Sequence, residues 1–406
     1  MISDTGTEHV NAYDSVISNC RLYSAEDSNE RSDIFVKEGR IARIAPVGQA
    51  GDAVLRLDAD GRIAAPGFID VHIQGAGGAD VLDASAASLE TMSKTLARYG
   101  TTGYLATTVY HVDSSNAHLE IASALKGRNT GGSRILGIHL EGPFINPVKK
   151  GGLSPDAIHD PSMAMLEDIL AMTGGALSMM TIAPELDGSD ALIEHLVQHN
   201  VVASFGHSNA EYASTLRGID AGISHVTHMF NVMPGFHHRT PVPLHAIVEN
   251  DDVSVQIIAD GVHLHPATVK MLYRMLGVDR CACITDGIQA VGLPEGHYVY
   301  DGSEYESKAG VARYLDGTLI GTAIPLSEIG RRFMTYTGCS LVDAVRSISS
   351  VPATVLGLHH RKGDIAEGMD ADLVLMDESF NVYATMVEGQ VVFQDGIAGQ
   401  GNPGFA

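Results

Sequence analysis

Apolar and polar positions follow two different rhythms along this chain. From Ser15 to Leu57, and again from Asp372 to Phe393, short runs alternate apolar with polar and break at turns. Asp33-Ile-Phe-Val-Lys-Glu-Gly39 and Arg40-Ile-Ala-Arg-Ile-Ala45 read as a hairpin around Glu38-Gly39. Asp372–Asp377 and Tyr383–Phe393 repeat the style around Glu388-Gly389. Two β-rich ends enclosing one long middle predict a small discontinuous β-sandwich domain, residues 13–62 with 362–397. Residues 1–12 are polar and acidic and read as a frayed terminus, not as a secretion signal.

Between these ends, apolar runs suited to buried strands finish near Asp70, Thr107, Glu141, Ala183, Gly206, His228, Asp260 and Asp286. Helical periodicity fills most of the gaps: Ser85–Tyr99, Ser114–Lys126, Ser162–Met172, Asp190–His199, Ala210–Ala221 and Pro266–Leu276. Ser85 and Ser114 stand where N-caps belong. Strands alternating with helices imply parallel pairing and right-handed crossovers. The pattern predicts an α/β fold, a (β/α)8 TIM barrel over 63–361, with an open doubly wound sheet as the alternative. No Gly-x-Gly-x-x-Gly follows the first strand to support a dinucleotide fold.

Composition narrows the function. At 406 residues and 45% apolar content the chain can bury a large core. Its net charge of −23 disfavours a nucleic-acid partner, which needs clustered Lys and Arg. No apolar run reaches the ~18–20 residues of a membrane span, so no membrane partner is expected. Cys20, Cys281, Cys283 and Cys339 are too few for a disulfide scaffold and read as reduced thiols of a cytoplasmic protein.

The chemistry collects at the strand ends. Strand one closes on Ile69-Asp-Val-His72-Ile-Gln74, strand three on His139-Leu-Glu141, strand five on Gly206-His207 and strand six on Thr227-His228. Strands seven and eight lead into Asp260-Gly-Val-His263 and Thr285-Asp286. In a barrel all these termini open on one face, where active sites of this architecture sit. One Glu and two His converging there fit a divalent metal with an open position for water. An Asp on strand eight is placed to take that water's proton. His72 and Gln74 belong near such a metal, while His139 suits a supporting or packing role. Cys281-Ala-Cys283 lies within a strand and suits packing, because no second Cys/His pair completes a zinc ribbon.

Several runs carry a resemblance. Pro66-Gly-Phe-Ile-Asp-Val-His72, the His-Leu-Glu-Gly-Pro-Phe run at 139–144, Gly206-His-Ser-Asn-Ala210, Thr227-His-Met-Phe-Asn-Val-Met-Pro234 and Ile258-Ala-Asp-Gly-Val-His263 resemble the N-acetylglucosamine-6-phosphate deacetylases of the amidohydrolase superfamily. Thr285-Asp286-Gly and Gly368–Asp377 extend the match. The resemblance implies that Glu141, His207 and His228 hold one divalent metal, zinc or iron, and that Asp286 is general base and then acid. It implies that Asn231, the backbone of Val232, Arg239 and His263 bind the amino sugar phosphate. The family's arginine of this motif reaches into the neighbouring subunit's site, which implies a homodimer.

Three positions depart from the family's pattern. Leu153 stands where the family has a His that orients the amide carbonyl. His72-Ile-Gln74 replaces the His-x-His of two-metal members, which implies one metal. Thr240-Pro-Val-Pro-Leu-His245 replaces Glu-Pro-Gly-Leu after Arg239. Lys149, Lys150, His237 and His238 offer a local positive rim for an anionic substrate. Two other functions stay open beside the deacetylase: an amidohydrolase for a different N-acyl or cyclic amide, and a catalytically silent sugar-phosphate binder.

Overall fold

The computed structural model describes residues 13–24, 29–49, 51–112, 114–396 and the backbone of 399–400. The terminus read as frayed lies outside them. In the middle of the chain, strands Phe68–Ile73, Thr101–Thr108, Arg134–Glu141, Leu177–Ile182, Val202–Phe205, His225–Val226, Ser254–Ile257 and Cys281–Cys283 pair side by side in sequence order, all parallel. A parallel bridge from Ile73 to Gly287 brings the chain beyond the eighth strand back beside the first. Asp286 N–H donates to the His72 carbonyl at 3.0 Å, and Gln74 N–H donates to the Gly287 carbonyl at 2.8 Å. The sheet is therefore a (β/α)8 barrel and not the open doubly wound alternative. Its strands are buried along almost their whole length, as parallel strands covered by helices must be.

The expected helices form within a few residues of their predicted limits: Ala86–Ala97, Ala117–Leu125, Met163–Thr173, Ser189–Gln198, Tyr212–Ala221 and Pro266–Leu276. The caps correct the sequence reading. Ser85 occupies the N-cap position but accepts no side-chain hydrogen bond. The second helix is led by Asn116, not Ser114. Asn116 sits in the left-handed region at φ 46° and spends its amide on the His111 backbone. Such a conformation is more tolerable for Asn than for Ser, because its short amide bonds locally.

The two ends of the chain build one nine-stranded arrangement around Tyr13–Leu22. The first part of that strand pairs with Ser32–Lys37 and Ala53–Asp58. Its last residues pair with Ile63–Pro66, which in turn pairs with Leu373–Met376 from the far end of the chain. Both hairpins turn on Glu-Gly pairs in which both residues have positive φ: Glu38 and Gly39, and Glu388 and Gly389. That is the geometry a two-residue hairpin with right-handed strand twist requires. Ile17, Ile34, Leu57, Leu373 and Met386 share one apolar cluster, so both ends contribute to a common core. Lys362 joins this unit to the chain leaving the barrel. Its buried ammonium donates to Asp372 at 2.6 Å and lies 3.0 Å from Asp370.

The sequence reading did not identify an insert after the eighth strand. Gly296–Tyr300, Ser303–Lys308, Val311–Tyr314 and Leu319–Thr322 form an antiparallel meander. Tyr300, Tyr305 and Ala312 bury against Ile288 and Ala290 in a small core of their own. A bridge from Gly287 to Thr322 fixes the meander to the barrel beside Asp286. Gly321 permits that approach: a Cβ there would come within 2.4 Å of the Asp286 carbonyl oxygen, and its φ is +146°.

Candidate active site

The strand ends bring most of the predicted residues into one cleft. Gln74, Glu141, His207, His228, Asn231, Val232, His263 and Asp286 all line it. Gly151, Gly152, Leu153, Tyr300, Leu319 and Ile320 complete its wall. Arg239 does not line the cleft of its own chain. It lies in the exposed loop 235–241, with His237 and His238.

Three donors meet at one point. Glu141 Oε1 is 3.0 Å from His207 Nε2 and 3.0 Å from His228 Nε2, and the two imidazole nitrogens are 3.1 Å apart. His207 Nδ1 faces the Lys149 carbonyl at 2.8 Å. A carbonyl only accepts, so Nδ1 carries a hydrogen, and the ring is held with Nε2 turned to the cluster. Burial pushes the His228 imidazole below its ordinary value, which keeps it neutral. Two imidazole nitrogens and a carboxylate oxygen crowded around one point fit a tetrahedral cation site with a position to spare. The residues present thus suit a divalent metal.

Asp286 stands beside this cluster. Gln74 Nε2 donates to Asp286 Oδ1 at 3.0 Å and lies 3.5 Å from Glu141 Oε2. His72 Nε2 is 3.2 Å from the same Asp286 oxygen and 3.6 Å from Glu141 Oε1. Burial opposes a charge on His72, but Glu141 and Asp286 outweigh it and hold the imidazole up to about 9. For Glu141 burial likewise works against ionisation. The facing His72, with hydrogen bonds from His207 and His228, nonetheless keeps the carboxyl well below the usual range.

A second set of polar groups carries the first. Gln256 Oε1 accepts from His72 Nδ1 at 2.9 Å and from the His228 backbone N–H at 3.1 Å. One amide thus fixes two residues of the cluster. His139 lies edge-on to His72, with ring centroids 4.6 Å apart. It bonds Thr181 at 2.8 Å, and Thr181, Thr227 and Ser204 continue a hydroxyl chain through the barrel. Burial holds His139 well below its ordinary value, so it supports the cluster as a neutral ring. His263 bonds the Asp260 carboxylate at 2.6 Å, which fixes the ring at the edge of the cleft.

The backbone is strained where the functional side chains emerge. His207, His228, Val232 and Asp286 have φ of 47°, 25°, 48° and 49°. Non-glycine residues in the left-handed region cost energy and gather at functional sites.

The amidohydrolase family profile matches residues 63–392. The chain belongs to the amidohydrolase family. Within it, the protein is 36% identical to N-acetylglucosamine-6-phosphate deacetylase of Bacillus subtilis, over 81% of this chain and 84% of that one. It is 31% identical to N-acetylgalactosamine-6-phosphate deacetylase of Escherichia coli O157:H7, over 91% of this chain and 97% of that one. The structure superposes, with a TM-score of 0.85, on an N-acetyl-D-glucosamine-6-phosphate deacetylase mutant from Mycobacterium smegmatis in complex with N-acetyl-D-glucosamine-6-phosphate. The two are 29% identical, over 94% of this chain and 99% of that one. This amidohydrolase is therefore an enzyme of the deacetylase branch.

Some of its site was not legible in the sequence. Gln256 was missed, although a Gln inside the apolar strand Ser254–Ile257 is itself a signal, because a buried amide must be bonded. Tyr300, Leu319 and Ile320 were missed with the meander that carries them. Lys149 contributes its carbonyl, not its ammonium, and Lys150 Nζ is turned to the Gly151 and Leu153 carbonyls at 3.3 Å. All four cysteines are free thiols, and burial raises Cys281 to about 12, in keeping with packing. Among the described residues, no helix is long and apolar enough to cross a membrane.

Proposed function

We propose that this amidohydrolase hydrolyses the N-acetyl amide of a hexosamine 6-phosphate, releasing acetate and the amino sugar phosphate. The observation that carries this reading is the convergence of Glu141, His207 and His228 beside Asp286 in one cleft. Its relatives of known activity act on such sugars.

Glu141, His207 and His228 would hold one divalent ion, zinc or iron. When bound, such an ion supplies Lewis-acid polarisation of the amide carbonyl and acidifies water. Asp286 takes the proton from the attacking water and delivers it to the departing amine nitrogen, so one carboxylate serves both halves of the reaction. Gln74 and His72 grip Asp286 Oδ1, which leaves Oδ2 for that exchange. Asn231, the Val232 backbone and His263 hold the sugar at the cleft edge. Arg239 binds the phosphate, because its planar fork matches two phosphate oxygens. Its place outside its own cleft supports a homodimer in which each arginine serves the partner's site. Residues 63–361 form the catalytic unit and the paired termini a structural one, in a cytoplasmic protein.

A second reading has its own support. Leu153, Leu319 and Ile320 add an apolar stretch to the cleft lining, which favours a different acyl group on the same amide. Acetate release from N-acetylglucosamine and N-acetylgalactosamine, each with and without the 6-phosphate, tests both. Turnover confined to the phosphorylated sugars is the expected result. Turnover of neutral sugars alike, or of none, removes the phosphate assignment.

A further inference from the structure

Amide hydrolysis builds negative charge on the carbonyl oxygen, and a donor aimed at that oxygen accelerates the reaction. Besides its polar groups, this cleft is lined by Leu153, Leu319 and Ile320, which offer no side-chain donor. One further lining residue differs. Tyr300 lines the cleft with its ring buried, only 7% exposed.

The ring is held firmly. Tyr300 ends the strand Gly296–Tyr300, is paired with Ser303, and packs in the apolar cluster with Ile288 and Ile320. Its hydroxyl, by contrast, makes no hydrogen bond among the described residues. The other buried tyrosines are engaged: Tyr305 donates to Gln289, Tyr23 donates to Asp364, and Tyr104 bonds Ser93. The ring is enclosed, but the hydroxyl is not one of the sealed, unbonded polar atoms of the interior: it reaches open space at the cleft that the residue lines, where a substrate could take its hydrogen. Burial, with the charges of Asp80 and Glu141, raises the phenol well above its ordinary value, so it stays a neutral O–H donor.

We infer that Tyr300 donates its phenolic hydrogen to the carbonyl oxygen of the scissile amide, the donor that the apolar wall at Leu153 does not supply. The inference rests on the deacetylase reading and assigns a substrate-contacting role to the meander after the eighth strand. No bond of Tyr300 forms or breaks in the reaction. The phenol keeps its proton and strengthens its hydrogen bond as the oxygen gains charge.

The test compares wild type with Tyr300→Phe and with the double variant Tyr300→Phe/Leu153→His, each loaded with one zinc per chain. Steady-state kinetics are run on the N-acetylhexosamine 6-phosphate that wild type hydrolyses. Tyr300→Phe should lose ~10- to 100-fold in kcat, below the ~10²–10³ of a sole oxyanion donor because the metal shares the task. KM, zinc content and melting temperature should stay near wild type. The double variant should regain part of the lost kcat, because an imidazole at 153 restores a donor on that wall. A kcat within twofold of wild type, a loss confined to KM, or a loss of zinc overturns the role of Tyr300 while the deacetylase reading stands. A wild-type protein that hydrolyses none of the sugar phosphates overturns both.

Discussion

Gln74 donates its amide to Asp286 across 3.0 Å, from the end of the first barrel strand to the end of the eighth. The same nitrogen lies 3.2 Å from His72 Nε2 and 3.5 Å from Glu141 Oε2. A neutral amide thus stands between two carboxylates. Purified protein should hold one tightly bound metal per chain by elemental analysis. Glu141→Gln, His207→Ala and His228→Ala should each sharply lower that content. Chelation should abolish activity, and zinc or iron(II) should restore it.

Asp286→Asn should cost ~10²–10⁴-fold in kcat, the range typical of a lost general base or acid. The asparagine keeps the shape, and Asp286 is not one of the three grouped donors, so metal content should be unchanged. Wild-type kcat in this variant would make Asp286 structural.

Gln256→Leu removes the acceptor shared by His72 Nδ1–H and the His228 backbone N–H. Each buried donor left unpaired costs about 1–3 kcal/mol. Supporting partners of metal ligands are typically worth ~10–100-fold in metal affinity. The variant should therefore melt lower and lose metal to a competing chelator sooner, while its barrel circular dichroism persists.

Lys362→Met should destabilise the fold by about 3–5 kcal/mol in chemical denaturation. It leaves the buried Asp372 carboxylate without its ammonium, beside an Asp370 that keeps only Arg361. Replacing the whole trio by apolar residues of similar volume should cost much less, because the penalty comes from the stranded charges.

Asp80 gives a pH signature. Burial, then the nearby Asp83 and Asp301, raises its carboxyl to about 7, against a hydrogen bond from the Leu82 N–H. The folded state thus holds this proton more tightly than the unfolded chain, whose Asp titrates near ~3.9. Its contribution to stability is full below ~3.9 and is lost as pH rises through about 7. Asp80→Asn keeps the acceptor for Leu82 and needs no proton. Relative to wild type, it should gain stability on going from pH ~5 to pH ~8, by ~1–3 kcal/mol. Denaturation curves at both pH values check the sign.

Much of this enzyme was written locally. Parallel strands buried on both faces must be apolar along their length, and their helices must be amphipathic, so eight strands and six of their helices showed as a period in the chain. The meeting of Glu141, His207, His228 and Asp286 in one cleft was legible because a polar side chain ending an apolar strand of a barrel has one face to open on. The Glu-Gly hairpins were legible because the turn's positive φ values restrict the residues that fit. Tertiary structure alone decided what has no local signature. Closure of the sheet depended on Gly287 meeting Ile73 from more than two hundred residues away. Gln256 gained its role only when the first and sixth strands came to flank the same amide. The meander's alternation of buried and exposed residues reads like that of any surface hairpin, and it became a wall of the cleft only when Thr322 bridged to Gly287. The location of Arg239 outside its own cleft had no local signature and was anticipated only through the family resemblance, because a loop's sequence fixes its chemistry but not the surface it is presented to.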